Sequence, residues 1–316
     1  MPTRRQRKSR RGEPKRHLWP WVGLGALGVA TVWMSSRPRP GPAPVLPPLH
    51  EGPPTRLPDG VELAWIPGPA GALRLAERHP GGRLAVVFVH GLGGRLEQWS
   101  AQLAGLGPAL RALALDLPGH GESDAAADGD YSVPALAAAV GAALDAGALR
   151  RAVLVGHSLG ALAAIEYAAG HPERVAALLL VDPSGDQTRM PPADRSAWLA
   201  AVRDDPRGEC DFNFRHFLGE ARPEVAKAVL ESLEATPAAA LVAALEGSAA
   251  YAAAAAMERY PGPAASVVSE LNDLPISLHR LRPELPARRL RGVSHWLMMD
   301  RPSEVLEALW DLLERI

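Results

Sequence analysis

The sequence predicts an α/β fold, a mostly parallel central sheet flanked by helices with a helical insertion, preceded by one N-terminal transmembrane helix. Three observations carry this. Short apolar runs each stop at a glycine-containing turn, as at Leu84-Ala85-Val86-Val87-Phe88-Val89 before His90-Gly91. Helical periodicity fills the intervals between such runs, and residues 185–262 read as helix alone. An uncharged stretch from Leu18 to Met34 lies between a basic head and a proline-rich tract.

The N-terminal elements come first. Ten Lys or Arg against the single acid Glu13 in residues 1–40 make a basic head on an acidic body, although the whole chain carries a net charge of only -1. Positive charge stays on the cytoplasmic side of a membrane, so residues 1–17 read as a cytoplasmic tail. Residues 18–36 would span roughly 26–28 Å as a helix at about 1.5 Å per residue, near the minimum for a bilayer and long for a signal-peptide core. No A-x-A site follows, and Ser9-Arg10-Arg11 lacks the apolar residues of a twin-arginine export signal. An uncleaved anchor is the expectation. Eight prolines between 37 and 56 make residues 37–60 an extended spacer. The body would then lie on the extracytoplasmic side.

Within the body, the run at 84–89 is apolar throughout, as suits a strand buried on both faces. Leu113-Ala114-Leu115 ends at Asp116-Leu117-Pro118-Gly119, Arg151 to Val155 ends at Gly156, and Ala177 to Val181 ends at Asp182-Pro183. Strand signals resume at 265–268 and 287–290, and an amphipathic helix from about Ser303 closes the chain. The core thus occupies 61–184 and 263–316, with 185–262 inserted between them as a lid. Open parallel sheets bind ligands beyond the carboxyl ends of their strands, so the glycine turns should converge.

Composition excludes several classes. At 47% hydrophobic and 22% charged residues, the chain is globular. An acidic body offers no face for phosphate neutralisation, so no nucleic-acid partner is expected. The lone Cys210 forms neither an intrachain disulfide nor a cysteine-based zinc site, and reads as a packed small side chain.

The chemistry centres on Gly156-His157-Ser158-Leu159-Gly160, a G-x-S-x-G between an apolar strand and a helical run. A serine hydroxyl is a poor nucleophile until its proton is removed, and this sharp turn exposes it for that purpose. The following helix start sets the Leu159 amide beside the reacting oxygen, and Leu92, just past His90-Gly91, can aim a second amide there. These two form the expected oxyanion hole. Of ten histidines, His17, His50 and His79 lie outside the strand-end loops, and His120, His171 and His216 read as loop or surface residues. His90 and His157 fall in the motifs but read as packing or positioning groups. His295, in a loop before the last helix, is the expected base. A carboxylate should orient it, and Asp273 has the favoured spacing; Glu270 and Asp182 also lie just past strand ends.

Together these segments resemble the α/β-hydrolase fold superfamily, in particular its lid-bearing esterase and lipase-like members. The resemblance covers about residues 61–316. It rests on His90-Gly91 with Trp99, Asp116 through Ser123, the serine elbow, Val181-Asp182-Pro183, and Gly292 to Pro302. It implies a triad acid after a strand ending Gly-x-x-Asp, where this chain has Glu270-Leu271-Asn272-Asp273 without the glycine. It also implies a lid at 185–262 that shapes the pocket, whose aromatics Trp198, Phe212, Phe214, Phe217, Tyr251 and Tyr260 either line a cavity or pack the helices.

The expected activity is hydrolysis of an ester or related acyl bond in an apolar small molecule, through an acyl-Ser158 intermediate, with no cofactor and no metal. The same triad could serve carbon–carbon or amide hydrolysis or acyl transfer, or the fold could be a silent binding protein.

Overall fold

The computed structural model describes residues 55–316. The tail 1–17, the segment 18–36 and residues 37–54 of the spacer 37–60 therefore lie outside the described residues. Among the described residues no single helix is long and apolar enough to cross a membrane.

The strands are β1 (Glu62–Pro67), β2 (Ala72–Arg78), β3 (Leu84–Val89), β4 (Leu110–Leu115), β5 (Ala152–His157), β6 (Val175–Val181), β7 (Ala264–Ser269) and β8 (Ala287–Leu290). They form one sheet in the order β1-β2-β4-β3-β5-β6-β7-β8. β2 runs antiparallel to β1 and β4, and every pairing from β4 to β8 is parallel. The inner strands β5 and β6 are buried at every position, which explains the apolar runs Ala152–Val155 and Val175–Val181. Burying each Val or Leu is worth roughly 1.5–3 kcal/mol. β1, an edge, exposes Leu63 and Trp65.

The helices are α1 (Ser100–Gly105), α2 (Val133–Ala146), α3 (Leu159–Gly170), α4 (Pro192–Asp204), α5 (Pro206–Leu218), α6 (Pro223–Ala235), α7 (Ala238–Ala250), α8 (Ala253–Glu258), α9 (Leu278–Leu281), α10 (Leu297–Asp300) and α11 (Pro302–Leu313). α4 to α8 lie in the interval between β6 and β7. Proline opens α4, α5 and α6, where the first-turn amide needs no partner. Asp205 caps α5 by accepting from the Gly208 amide at 2.9 Å.

Because β3 lies between β4 and β5, the chain reverses its direction of winding there. That reversal opens a crevice between the carboxyl ends of β3 and β5, from which His90 and Ser158 emerge.

Candidate active site

Ser158 sits between β5 and α3 with φ +50° and ψ −115°, outside the comfortable regions for a side-chain-bearing residue. Its amide donates to Val181 O at 3.1 Å, and its carbonyl accepts from Ala161 N at 3.1 Å, so neighbours on both sides hold the strain. The flanking glycines make that possible. A Cβ at Gly156 would lie 2.6 Å from Ala161 Cα, and one at Gly160 2.3 Å from His90 O.

His295 faces the same cleft on the loop before α10. Its Nδ1–H donates to Asp182 Oδ2 at 2.7 Å. That bond fixes the proton on Nδ1 and leaves Nε2 as the lone-pair nitrogen, the form a general base needs. Asp182 is fully buried and stands in a left-handed conformation, φ +43°, which Asp tolerates better than most residues. Four donors converge on it: Ser269 N and Ser269 Oγ at 2.7 Å each, Asn272 Nδ2 at 3.3 Å, and His295.

Asp273 was expected against the imidazole, and the geometry corrects this. Its carboxylate receives Arg280 Nε at 2.6 Å, Arg280 Nη2 at 2.9 Å, His279 Nε2 at 2.8 Å and Arg289 Nη1 at 3.4 Å. The paired Arg280 guanidinium, against the cost of burial, holds its carboxyl down at about 2. The short helical turn Glu270–Asn272 carries the chain past the strand end, so that Asn272 rather than Asp273 reaches the site. Glu270 pairs with Arg291 at 3.3 Å on the surface.

Of the packing and positioning roles expected for His157, the structure shows a positioning contact. Its Nε2–H donates to His295 O at 2.9 Å, and the two rings lie 4.6 Å apart. Burial and the adjacent His295 ring hold the His157 imidazole well below the usual histidine range, so it stays neutral. His120, expected on a loop or the surface, is buried beside His90. Burial pushes His90 down to about 3 and His120 to about 4. His90 Nε2 accepts from Leu117 N at 3.0 Å, and Asp116 accepts from Leu96 N at 2.6 Å and Glu122 N at 2.9 Å. These bonds stitch the loop after β3, which carries Leu92, to the loop after β4.

Leu92, His157, Ser158, Phe214, Phe217, His295 and Trp296 line one small cavity with about 10 Å³ of free volume. Leu159 follows Ser158 as the first residue of α3. Phe214 and Phe217 come from α5. The Phe217 carbonyl accepts from His295 N at 3.0 Å, and its ring lies 5.2 Å from the imidazole. The other aromatics of the insertion lie elsewhere: Trp198 is buried within it, Tyr251 bonds Glu166, and Tyr260 bonds Val175 O. Phe212 is half-buried and outside the cavity lining. Cys210 is buried, which pushes its thiol up to about 12.

Two residues of the site had no forecast. Trp296 packs against Phe214 at 5.2 Å, and Ser184 places its Oγ 3.2 Å from Ser158 Oγ. A sequence signal existed for the Asp182 side of the cleft: Val181-Asp182-Pro183 ends the strand next to the one bearing Ser158.

A strained serine turn beside a buried carboxylate–imidazole pair, on a sheet of this topology, defines a protein of the open α/β-hydrolase fold. Comparison with known proteins agrees. Residues 85–241 match the family model of the alpha/beta hydrolase fold. The acetyltransferase component of the acetoin cleaving system of Cupriavidus necator is 39% identical over 34% of this chain and 29% of its own length. An esterase of Mycobacterium tuberculosis is 39% identical over 40% of this chain and 44% of its own. The chain therefore spans less than half the length of either relative. The thermophilic esterase of Thermogutta terrifontis superposes with a TM-score of 0.67 at 23% identity, covering 80% of this chain and 98% of that one. The chain belongs to the α/β-hydrolase fold family.

Proposed function

We propose that the chain is a serine hydrolase that cleaves an ester or related acyl bond of an apolar small molecule through an acyl-Ser158 intermediate. Ser158 Oγ attacks the carbonyl carbon as His295 Nε2 takes its proton. The imidazolium, held by Asp182, then protonates the leaving group. Water repeats the cycle on the acyl-enzyme. The amides of Leu92 and Leu159 receive the oxyanion, each worth about 3 kcal/mol. The supporting observation is the 2.7 Å bond from His295 Nδ1 to Asp182, which leaves Nε2 as the proton acceptor in the cavity shared with Ser158.

In this reading the inserted helices act as a lid. With Phe214 and Phe217 filling the cavity, α5 moves before an acyl chain enters. Residues 18–36 hold the enzyme at a membrane, with the body on the extracytoplasmic side.

The full-length protein is treated with a fluorophosphonate and the adduct located by peptide mass spectrometry. Labelling at Ser158 that is lost in His295→Ala is expected, and no labelling of folded protein overturns the mechanism. Membrane attachment is tested by carbonate washing of cell membranes, in which the chain should stay in the pellet. Release into the wash overturns the anchor.

A further inference from the structure

The loop after β6 supplies more than the carboxylate. Two residues beyond Asp182, the Ser184 hydroxyl stands 3.2 Å from Ser158 Oγ, and the Ser184 amide donates to the Ser158 carbonyl at 3.3 Å. One segment therefore grips the nucleophile at both its backbone and its reacting atom. The loop has little freedom to withdraw. Asp182 N donates to Val267 O at 2.7 Å, Asn272 Nδ2 donates to Pro183 O at 2.8 Å, and Asp186 N donates to Ile276 O at 2.8 Å. Gly185 packs so closely that a Cβ there would lie 2.6 Å from Ile276 O.

We infer that Ser184 is a further catalytic residue, a hydrogen-bond donor to Ser158 Oγ that acts chiefly when Ser158 is the leaving group; the inference rests on the serine-hydrolase reading above. When Ser158 gives its proton to His295 Nε2, its oxygen has no proton of its own to offer Ser184. The remaining hydroxyl proton between the two oxygens is then that of Ser184, which donates. During acylation the Ser158 oxygen loses electron density as the C–O bond forms, so this bond gains nothing in the transition state. Deacylation is the reverse case. Water adds to the acyl carbon, and its proton passes to His295 Nε2. The bond from carbon to Ser158 Oγ then breaks, and its electron pair stays on Oγ, which takes the proton from His295. Ser184 keeps its own proton throughout and donates a hydrogen bond to the oxygen while charge builds there. Only an interaction stronger in the transition state than before it speeds a step, so the benefit falls on acyl-enzyme breakdown.

The experiment uses the full-length chain with p-nitrophenyl acetate. Acylation is followed as the first-turnover release of nitrophenolate. Deacylation is followed as decay of the acyl-enzyme mass after rapid removal of substrate. Ser184→Ala should slow deacylation about tenfold, the equivalent of one hydrogen bond of roughly 1.4 kcal/mol, and leave acylation within about twofold. Ser184→Thr, which keeps a hydroxyl, should restore most of the rate. Both variants are checked for an unchanged unfolding midpoint. Equal slowing of both steps, no effect on either, or failure of Thr to rescue in a folded protein overturns the role of Ser184. An unmodified chain that forms no acyl-enzyme at Ser158 overturns the hydrolase reading instead, and this inference with it.

Discussion

Adjacent strands β6 and β7 each deliver, just past their ends, an aspartate hydrogen-bonded to a histidine. Asp182 meets His295 at 2.7 Å, and Asp273 meets His279 at 2.8 Å. Distance does not distinguish the two pairs; surroundings do. Asp182 is buried and held by backbone, hydroxyl and carboxamide donors that carry no charge. Asp273 is partly exposed, and the exposed guanidinium groups of Arg280 and Arg289 share its carboxylate. A carboxylate whose charge is answered by guanidinium groups has little left with which to stabilise an imidazolium. One whose partners are neutral dipoles in a dry site keeps its charge for that purpose.

Substitution at the two aspartates should therefore separate them sharply. Asp182→Asn presents an amide N–H to His295 Nδ1 and forces the proton onto Nε2, so kcat should fall about 10⁴-fold. Asp273→Ala should leave kcat within about twofold. Steady-state turnover of an acyl ester in both variants checks this, and comparable losses would break the contrast.

Next in size is His157, which transfers no proton in the mechanism but holds the His295 carbonyl. His157→Leu should lower kcat about 10- to 100-fold and leave KM nearly unchanged, by loosening a base whose alignment matters at the ångström scale. His157→Gln, which can still offer an N–H at the same reach, should recover part of the loss. A kinetic comparison of the two variants tests whether the hydrogen bond or the ring carries the effect.

The smallest effect is on stability. Asp273 is held at about 2, below the ordinary carboxylate value of 3.8. The fold therefore favours its ionised form. That contribution is present above the unfolded value and is lost as pH falls from about 4 through about 2. With its partners partly exposed to solvent, Asp273→Ala should cost about 1 kcal/mol at pH 7. Denaturant titrations of both proteins at pH 7 and near pH 2 should show the difference shrinking toward zero in acid.

This contrast also marks where sequence reading stops. Strands buried on both faces write themselves as apolar runs, which is why β3, β5 and β6 were legible, together with the serine turn and His295. The carboxylate that meets His295 was not, because Asp182, Glu270 and Asp273 all follow strand ends. The choice between them turned on Asn272 reaching back to Asp182, and on three cations that lie 7 to 16 positions beyond Asp273 or pair with Glu270. Those are long-range contacts with no periodic signature. Ser184 was invisible for the same reason: a serine in a loop acquires meaning only from the oxygen it faces.

On the proposed reading of the insertion as a lid, the bond from His295 N to the Phe217 carbonyl gives it a thermodynamic role. A protein that binds substrate only when α5 has swung away pays for that opening in every encounter, so each apparent dissociation constant is the intrinsic one divided by the open fraction. If the open fraction were about 1%, all substrates would bind roughly a hundredfold more weakly than their contacts allow. The handicap is common to all, so loosening this latch would tighten binding across a substrate panel without reordering it.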